Sequence, residues 1–534
     1  MEANSNANNP IPAILILAGQ KTYGRNKSNV PLYKCIPDKS ANAEPMLVGY
    51  NMKTMGFSKV FYNLYVIVKR DGTMCEVLGQ VNDAKAFAEY QMVCKNVRLP
   101  YSKLTKELIR QKIKTNSTLA FTDEEINNYN ILDRRNEKIY TIDPQQCTDF
   151  DDAFSVKKIE NEKSNQVLLT IYIANVPIVL DKFHLWDFLS ERVATIYLPD
   201  CKRPMLPSAL SEGICSLKEG QDRIAFAMEF VVNANSNTNS NQQFQYQRHY
   251  NCLIRVCKNY VYEEPALLSN QEYQLLKSYF PIDVTDSHDI VERMMIEMNH
   301  TSAKILIQNK TGIFRTVSKK EGINSVNTDT DVTSIQTQTT TTITTINTNN
   351  IKNKTDIQAY NRIYNWKCMH GQYEMYDVSK EQYIHATLDL DCYAHITSPI
   401  RRWVDMINMS QLCLDPPNYP LILRHCMTDE KIQVVNAKMK GTQQVQNACH
   451  LLHMITNNPS LTNHILDGYI FDDRMVYLPS INFICKFYEN QLQTNLEPEQ
   501  ELQNVNQEKQ KSKFKIYLFT DEHTLYKKVR VMKI

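Results

Sequence analysis

The 534-residue sequence predicts an α+β chain of several domains, and three observations carry that expectation. Short runs rich in Val, Ile and Tyr, such as FYNLYVIVK from Phe61, alternate with polar turns through the first hundred or so residues. Farther along, apolar runs at 139–142 and 153–156 read as two strands that meet at an acidic string. Helical spacing then appears in Met294, Met298 and Ile305, and again in Ile400, Trp403, Val404 and Ile407.

In chain order, residues 1–9 read as a disordered tail and 10–100 as a small β domain, with 101–134 as a linker. The alternating run Ile224, Phe226, Met228, Phe230, Val232 and a second apolar run flank Asn233 to Gln243, which reads as an enlarged hairpin tip. A helix is expected from Asp289 to Gln308. Segment 320–356, with its TQTTTTITTINTNN, and segment 490–513, rich in Gln, Asn and Glu, have too little apolar surface to offset backbone ordering, so disorder is expected there.

Sixty basic and 58 acidic side chains leave a net charge of +2, so any nucleic-acid affinity must come from local patches. No run of about 18 apolar residues occurs, and MEANSNANNPIP has no signal-peptide pattern, which together point to an intracellular protein without membrane contact. The 14 cysteines form no CxxC pair and read as reduced, mostly buried thiols. Abundant Asn, Lys, Ile and Tyr with little Gly points to an A+T-rich genome, such as that of a large DNA virus, which would place the protein in host cytoplasm or virion.

The strongest chemical signal is TIDPQQCTDFDDAF, where Asp143, Asp149, Asp151 and Asp152 fall within ten residues. Their repulsion is hard to justify unless a cation is shared, and magnesium is usually held by a few carboxylates with water and substrate phosphate. An acidic surface loop is the competing reading. An EF-hand is excluded, because a loop starting at Asp149 has Phe154 where that motif needs Gly. In an extended chain Asp149 and Asp151 share a face and Asp152 points away unless the backbone bends.

A second signal is HITSPIRRWVDMINMSQL from His395. Ser398 as cap and Pro399 at the first helical position predict a helix start, which places Arg401 and Arg402 in a first turn where cations oppose the dipole unless an anion is expected. The alternative is a surface pair lying over Trp403.

Together these strings resemble the catalytic domain of ribonuclease II and ribonuclease R, also found in the catalytic subunit of the eukaryotic exosome. The stretch TIYLPDCKRPMLPSALSEGICSLKEGQDRIAF from Thr195 is similar to that family's central region. The resemblance implies a mixed α/β ribonuclease II-type catalytic domain at 135–455, flanked by small OB-type β-barrels. LGQVNDAKAFAEYQMVCKN from Leu78 resembles the end of a cold-shock-like barrel, and 456–534 resembles the C-terminal OB-type barrel, interrupted by the linker 490–513.

The function implied is metal-dependent, hydrolytic 3′-to-5′ degradation of single-stranded RNA to nucleoside 5′-monophosphates by a monomer, with Mg2+ or alternatively Mn2+. Residue by residue, Asp143, Asp149, Asp151 and Asp152 match the metal-binding acids, Asp151 also matches the aspartate tied to the chemical step, and Arg401 matches the arginine facing the scissile phosphate. Tyr262, in VYEE, matches the aromatic that stacks on the terminal base, Tyr197 a second base-contacting tyrosine, and Glu292 an acid near the terminal nucleotide, where ribose hydroxyls are read. Asn299 is expected on the same helix face as Glu292, opposite much of the methionine stripe. Departures are Tyr172 and Asn175 in YIANV, Met409, and QNACH around Asn447, where the family carries a late Glu. That loss keeps a catalytically weak RNA-binding regulator of the same fold as the alternative. The Lys202 and Arg203 pair either touches phosphate or coats a loop, with the loop favoured.

Overall fold

The computed structural model describes residues 10–52, 61–114, 120–159, 166–233, 243–280, 284, 286–317, 363, 371–380, 382–414, 427–471, 474–489, 511–520 and 527–534. The tail 1–9, most of the hairpin tip, the insertion 320–356 and most of the linker 490–513 lie outside them.

Strands β1 (Ile11–Leu15), β2 (Leu32–Pro37), β3 (Met46–Gly49), β4 (Leu64–Val68) and β5 (Met74–Gln80) form a sheet in the order β3-β2-β1-β4-β5. This is the order of a partly open five-stranded barrel whose β3 to β5 seam carries no ladder among the described residues. Across that seam Arg70 donates to the Ala41 carbonyl at 3.0 Å. The helix Ala84–Cys94, capped by Asp83, covers the barrel with Ala86 and Tyr90.

The centre is a seven-stranded mixed sheet. Its strands are β6 (Ile131–Asp133), β7 (Tyr140–Asp143), β8 (Asp152–Lys158), β9 (Gln166–Ala174), β12 (Asp222–Asn233), β13 (Phe244–Arg255) and β14 (Lys258–Val261), while β10 (Ile196–Tyr197) and β11 (Lys202–Arg203) pair separately. The order is β14-β7-β8-β9-β12-β13-β6. β9 and β12 are buried on nearly every residue because both lie inside this sheet with side chains packed on each face. The alternating run does form one arm of a hairpin, with β12 and β13 in register to Val232 and Phe244.

Helices Ser287–Gln308 and Trp403–Cys413 pack into the same core, beside the small ladder β15 (Ile313–Thr316) and β16 (Gln372–Met375). The long helix Asp429–Asn457 then returns to the first barrel. Its Gly441 lies so close that an added Cβ would sit 3.0 Å from the Lys95 carbonyl oxygen, which is why a glycine occupies this position despite its poor helix propensity. The chain ends in a closed barrel of β17 (Ile465–Phe471), β18 (Met475–Leu478), β19 (Phe483–Tyr488), β20 (Lys511–Thr520) and β21 (Lys527–Lys533), ordered β17-β18-β19-β21-β20. Residues 511–513, assigned to a linker from composition, belong to β20, because Lys513 pairs with Asp467 of β17.

The architecture is thus α+β, with a seven-stranded mixed sheet and its helices at the centre, a five-stranded sheet before it and a closed five-stranded barrel after it. No helix among the described residues is long and apolar enough to cross a membrane.

Candidate active site

The acidic string leaves the sheet at the end of β7 and re-enters it at the start of β8. Asp143 ends β7, Asp152 begins β8, and Asp149 and Asp151 lie on the loop between. That loop is held from below by the SEGICSL string. Phe150 N–H donates to Ser216 Oγ at 3.0 Å, Ser216 Oγ donates to the Thr148 carbonyl at 3.1 Å, and Leu217 N–H donates to the Phe150 carbonyl at 3.1 Å.

Asp151 is buried, with one partner at each oxygen. Ile400 N–H donates to Oδ1 at 2.9 Å, and Arg401 Nε pairs with Oδ2 at 3.2 Å. Burial nevertheless pushes its carboxyl up to about 8, with Arg401 and the Ile400 amide pulling the other way and Asp152 and Asp149 adding to the rise. Asp143 and Asp152 are both raised, first by burial; the charge of Asp151 adds to the rise at Asp143 and that of Asp143 to the rise at Asp152, while Arg401 pulls both the other way. The Cys147 thiol beside Asp143 is pushed up to about 12 by burial and by that carboxylate.

Two buried oxygens, Asp143 Oδ2 and Asp149 Oδ2, have no hydrogen-bond partner among the described residues. Buried polar atoms are rarely left so, and an anionic oxygen without a donor is costly unless a cation reaches it. These orphans and the all-oxygen carboxylate set fit a hard divalent ion. The carboxylates are not drawn tight, however: no three of them bring their oxygens within 4.8 Å of one another. Protein cations hold them instead. Lys202 Nζ lies 2.8 Å from Asp149 Oδ1 and 3.0 Å from Glu212, and donates to Thr148 Oγ1 at 2.6 Å.

This corrects the loop-coating expectation for Lys202, which enters the cleft. Arg203 turns to Glu89 and Asp200 at 3.0 and 2.8 Å, and so ties the helix over the first barrel to the central domain.

The SPIRR segment is also corrected. Its helix begins at Trp403, with Arg402 as an extended N-cap residue, and Ser398 is not the cap. Residues 398–401 form a turn in which Arg401 N–H and Arg402 N–H both donate to the Ser398 carbonyl. Arg402 then bridges to Ala194, and Thr195 N–H donates to the Arg401 carbonyl. Pairing with that neighbouring strand keeps the backbone extended and moves the helix start past both arginines. The two part company there: Arg401 is 46% exposed above Asp151, while Arg402 is held 2.8 Å from the fully buried Asp405. Lys431, not an arginine, lies over Trp403.

Both candidate tyrosines come to this cleft. Tyr197, 42% exposed, hydrogen-bonds with Arg401, and burial raises its hydroxyl against that cation's pull. It sits on β10, over an apolar seam of Ile196 and Leu198 with Met92, Val445 and Cys449, and its N–H donates to Gln446 Oε1 at 3.2 Å. Hence the late helix reaches the strand of Tyr197 with the side-chain amide of Gln446.

Tyr262 N–H donates to the Asp143 carbonyl at 3.1 Å, and burial followed by Asp152 and Asp143 raises its hydroxyl. One face of its ring is covered by His288, stacked at 3.7 Å between centroids and 11° between planes. Glu292 is exposed one turn beyond His288 on that helix. Asn299 departs from expectation. It is 2% exposed and turned inward, where it donates to Tyr393 OH and Thr397 Oγ1 and accepts from Ile396 N–H at 2.8 Å. Three satisfied hydrogen bonds make that burial affordable, a pattern that apolar periodicity cannot reveal.

The departures within YIANV are structural. The Tyr172 hydroxyl joins Ser155 and Glu137, each at 3.0 Å, and Asn175 caps the helix Val176–Lys182 while donating to Asn251. Sequence reasoning missed His288, Gln446 and Ser216. Of these only His288 left a signal, its four-residue spacing from Glu292.

Comparisons with known proteins bear on the family and the fold. The RNB domain model matches residues 132–279 and 266–414, more than half of the chain. Ribonuclease R of Chlamydia pneumoniae is 24% identical over 450 residues, 73% of this chain and 62% of that protein. Ribonuclease R of Aquifex aeolicus is 32% identical over 166 residues, 30% of this chain and 21% of its own. The chain therefore spans less than two thirds of the length of these curated relatives. Among solved structures, Mycoplasma genitalium RNase R in complex with ribose-methylated single-stranded RNA superposes with a TM-score of 0.65 at 16% identity, covering 98% of this chain and 90% of that one. Yeast Ssd1, a pseudonuclease, does so with a TM-score of 0.55 at 12% identity over 90% of this chain and 65% of its own.

Proposed function

The chain belongs to the RNB domain family, and from that premise we propose that it is a metal-dependent 3′-to-5′ exoribonuclease that hydrolyses single-stranded RNA to nucleoside 5′-monophosphates. The observation that carries this reading is the pair of buried, donorless oxygens on Asp143 and Asp149 beside the clamped Asp151. Asp143, Asp149, Asp151 and Asp152 would hold Mg2+ or Mn2+. When bound, such ions activate water and stabilise the leaving oxygen.

The protein's own groups do the rest. Arg401, half exposed and fixed by Asp151, supplies a positioned guanidinium for negative charge on phosphate. The rings of Tyr197 and Tyr262 offer sequence-tolerant stacking surfaces, and His288 fixes the second in place. On the last barrel, Arg530 lies over the rings of Tyr488 and Phe519, and Lys515 over Tyr517, a cationic and aromatic surface suited to single strands. A time course with 5′-labelled single-stranded RNA and magnesium, with and without chelator, tests the proposal. Stepwise 3′ shortening that stops on chelation is expected.

The second reading, a catalytically weak RNA-binding regulator, is favoured by the absence of an acid from QNACH around Asn447 and by Lys202 on Asp149. Tight RNA binding with no shortening in the same time course would select it.

A further inference from the structure

A second group of ligand-type side chains lies outside the acidic cleft. His300 projects from the helix Ser287–Gln308, and Asp391 and Cys392 open the segment that runs on to Arg401. One donor atom from each lies within 4.8 Å of the other two, and no other trio of His, Cys, Asp or Glu does so among the described residues. His300 Nε2 is 2.8 Å and Cys392 Sγ 3.8 Å from the same oxygen, Asp391 Oδ1. A tetrahedral ion with bonds of about 2.0–2.3 Å spaces its ligands by about 3.3–3.7 Å, between those two contacts.

The surroundings suit an ion. The Cys392 N–H donates to Asp391 Oδ1 at 3.1 Å and orients that carboxylate. Cys392 is buried and the His300 side chain is 14% exposed, while Asp391 faces solvent, so an ion can enter from the aspartate side and keep a water as its fourth ligand. Glu297 and Lys304 flank His300 by three and four residues on the same helix, and both interact with it or its partners, so their opposite charges largely cancel.

We propose that His300, Asp391 and Cys392 form a structural site for a borderline transition-metal ion, with Zn2+ as the best match to a nitrogen, oxygen and sulfur set. Magnesium prefers all-oxygen ligands, so this site and the acidic cleft select different ions. Binding forms bonds from the metal to His300 Nε2, Asp391 Oδ1 and Cys392 Sγ, and releases the thiol proton to solvent. The ion would pin 391–392 to the helix immediately beside Asn299, which already holds Tyr393, Ile396 and Thr397. It would thereby brace the segment that presents Ile400 and Arg401 to Asp151.

Titration of the metal-free full chain with Co2+ tests this, because thiolate ligation gives a charge-transfer absorption that carboxylates do not. The expected result is a band that saturates at one equivalent and is lost in Cys392→Ser and His300→Ala. It should persist in Cys147→Ser, whose thiol lies in the acidic cleft. Asp391→Asn should weaken Co2+ binding by about tenfold or more, and Zn2+ should raise Tm in the parent chain but not in Cys392→Ser. Circular dichroism checks the fold of each variant, and His300→Gln serves if His300→Ala is unfolded. No band in the parent chain, or a band undiminished in Cys392→Ser, overturns the proposal.

Discussion

The two walls of the acidic cleft are built on opposite electrostatic terms. Apart from Arg401, which reaches across to Asp151, the wall from 395–405 matches its charges internally: Arg402 pairs with Asp405, Ser398 N–H donates to Asp405 Oδ1, and Arg402 Nε and Asp405 Oδ2, which have no hydrogen-bond partner among the described residues, belong to one ion pair. The wall from 143–152 does not. Among the described residues its four aspartates pair with no cations but Lys202 and Arg401, and Asp143 and Asp149 have Asp151 as a carboxylate neighbour. The first wall is a finished structural unit, whereas the second is short of positive charge and is completed by a cation from outside.

The sharpest break of that contrast is Asp151→Asn, which should cut turnover by several orders of magnitude while leaving RNA binding nearly intact. Single-turnover rates and filter binding check this, and turnover like that of the parent chain would remove Asp151 from the chemistry. The charge deficit itself should appear as a pH effect. Folded Asp143, Asp151 and Asp152 keep protons that ordinary carboxylates have already lost, so the folded state binds more protons and stability falls as pH rises. Under chelation Tm should therefore fall as pH rises from about 4 to about 8. Saturating Mg2+ should flatten that fall.

On the finished wall, Arg402→Ala should cost about 3–5 kcal/mol in denaturant unfolding, because it strands the buried Asp405 charge. Arg401→Ala should impair turnover and cost less stability than Arg402→Ala, because the Asp151 carboxyl, already raised to about 8, takes up a proton when its cation is lost. Tyr197→Ala should weaken binding of short RNA by about 1–3 kcal/mol and barely alter digestion of long RNA. The smallest effect is expected from Lys202→Met. With the competing cation gone from Asp149, divalent binding by calorimetry should tighten several-fold, and weaker binding would show that Lys202 organises the acids rather than competing for them.

Much of this was readable in residue order. The acids stand at a junction of two strands because apolar runs deliver and receive the chain there, and the helix after SPIRR was visible in its periodicity. Its start was misplaced because Ser398 and Pro399 satisfy local capping rules, while the bridge from Arg402 to Ala194, two hundred residues away in sequence, overrides them. Asn299 was placed on the wrong side for a similar reason. A polar residue looks outward until three distant partners are found for it.

The sequence by itself determined the kinds of groups in the cleft and their local spacing, since strand and helix periods depend only on neighbouring residues. Tertiary structure alone decided how those groups are used. Arg401 and Arg402 are adjacent and chemically identical, yet one reaches Asp151 and the other Asp405, and Lys202 rather than Arg203 enters the acidic cleft. Charge pairing falls off over a few ångströms and depends on burial, so it is settled only when residues hundreds apart in the chain are packed against one another.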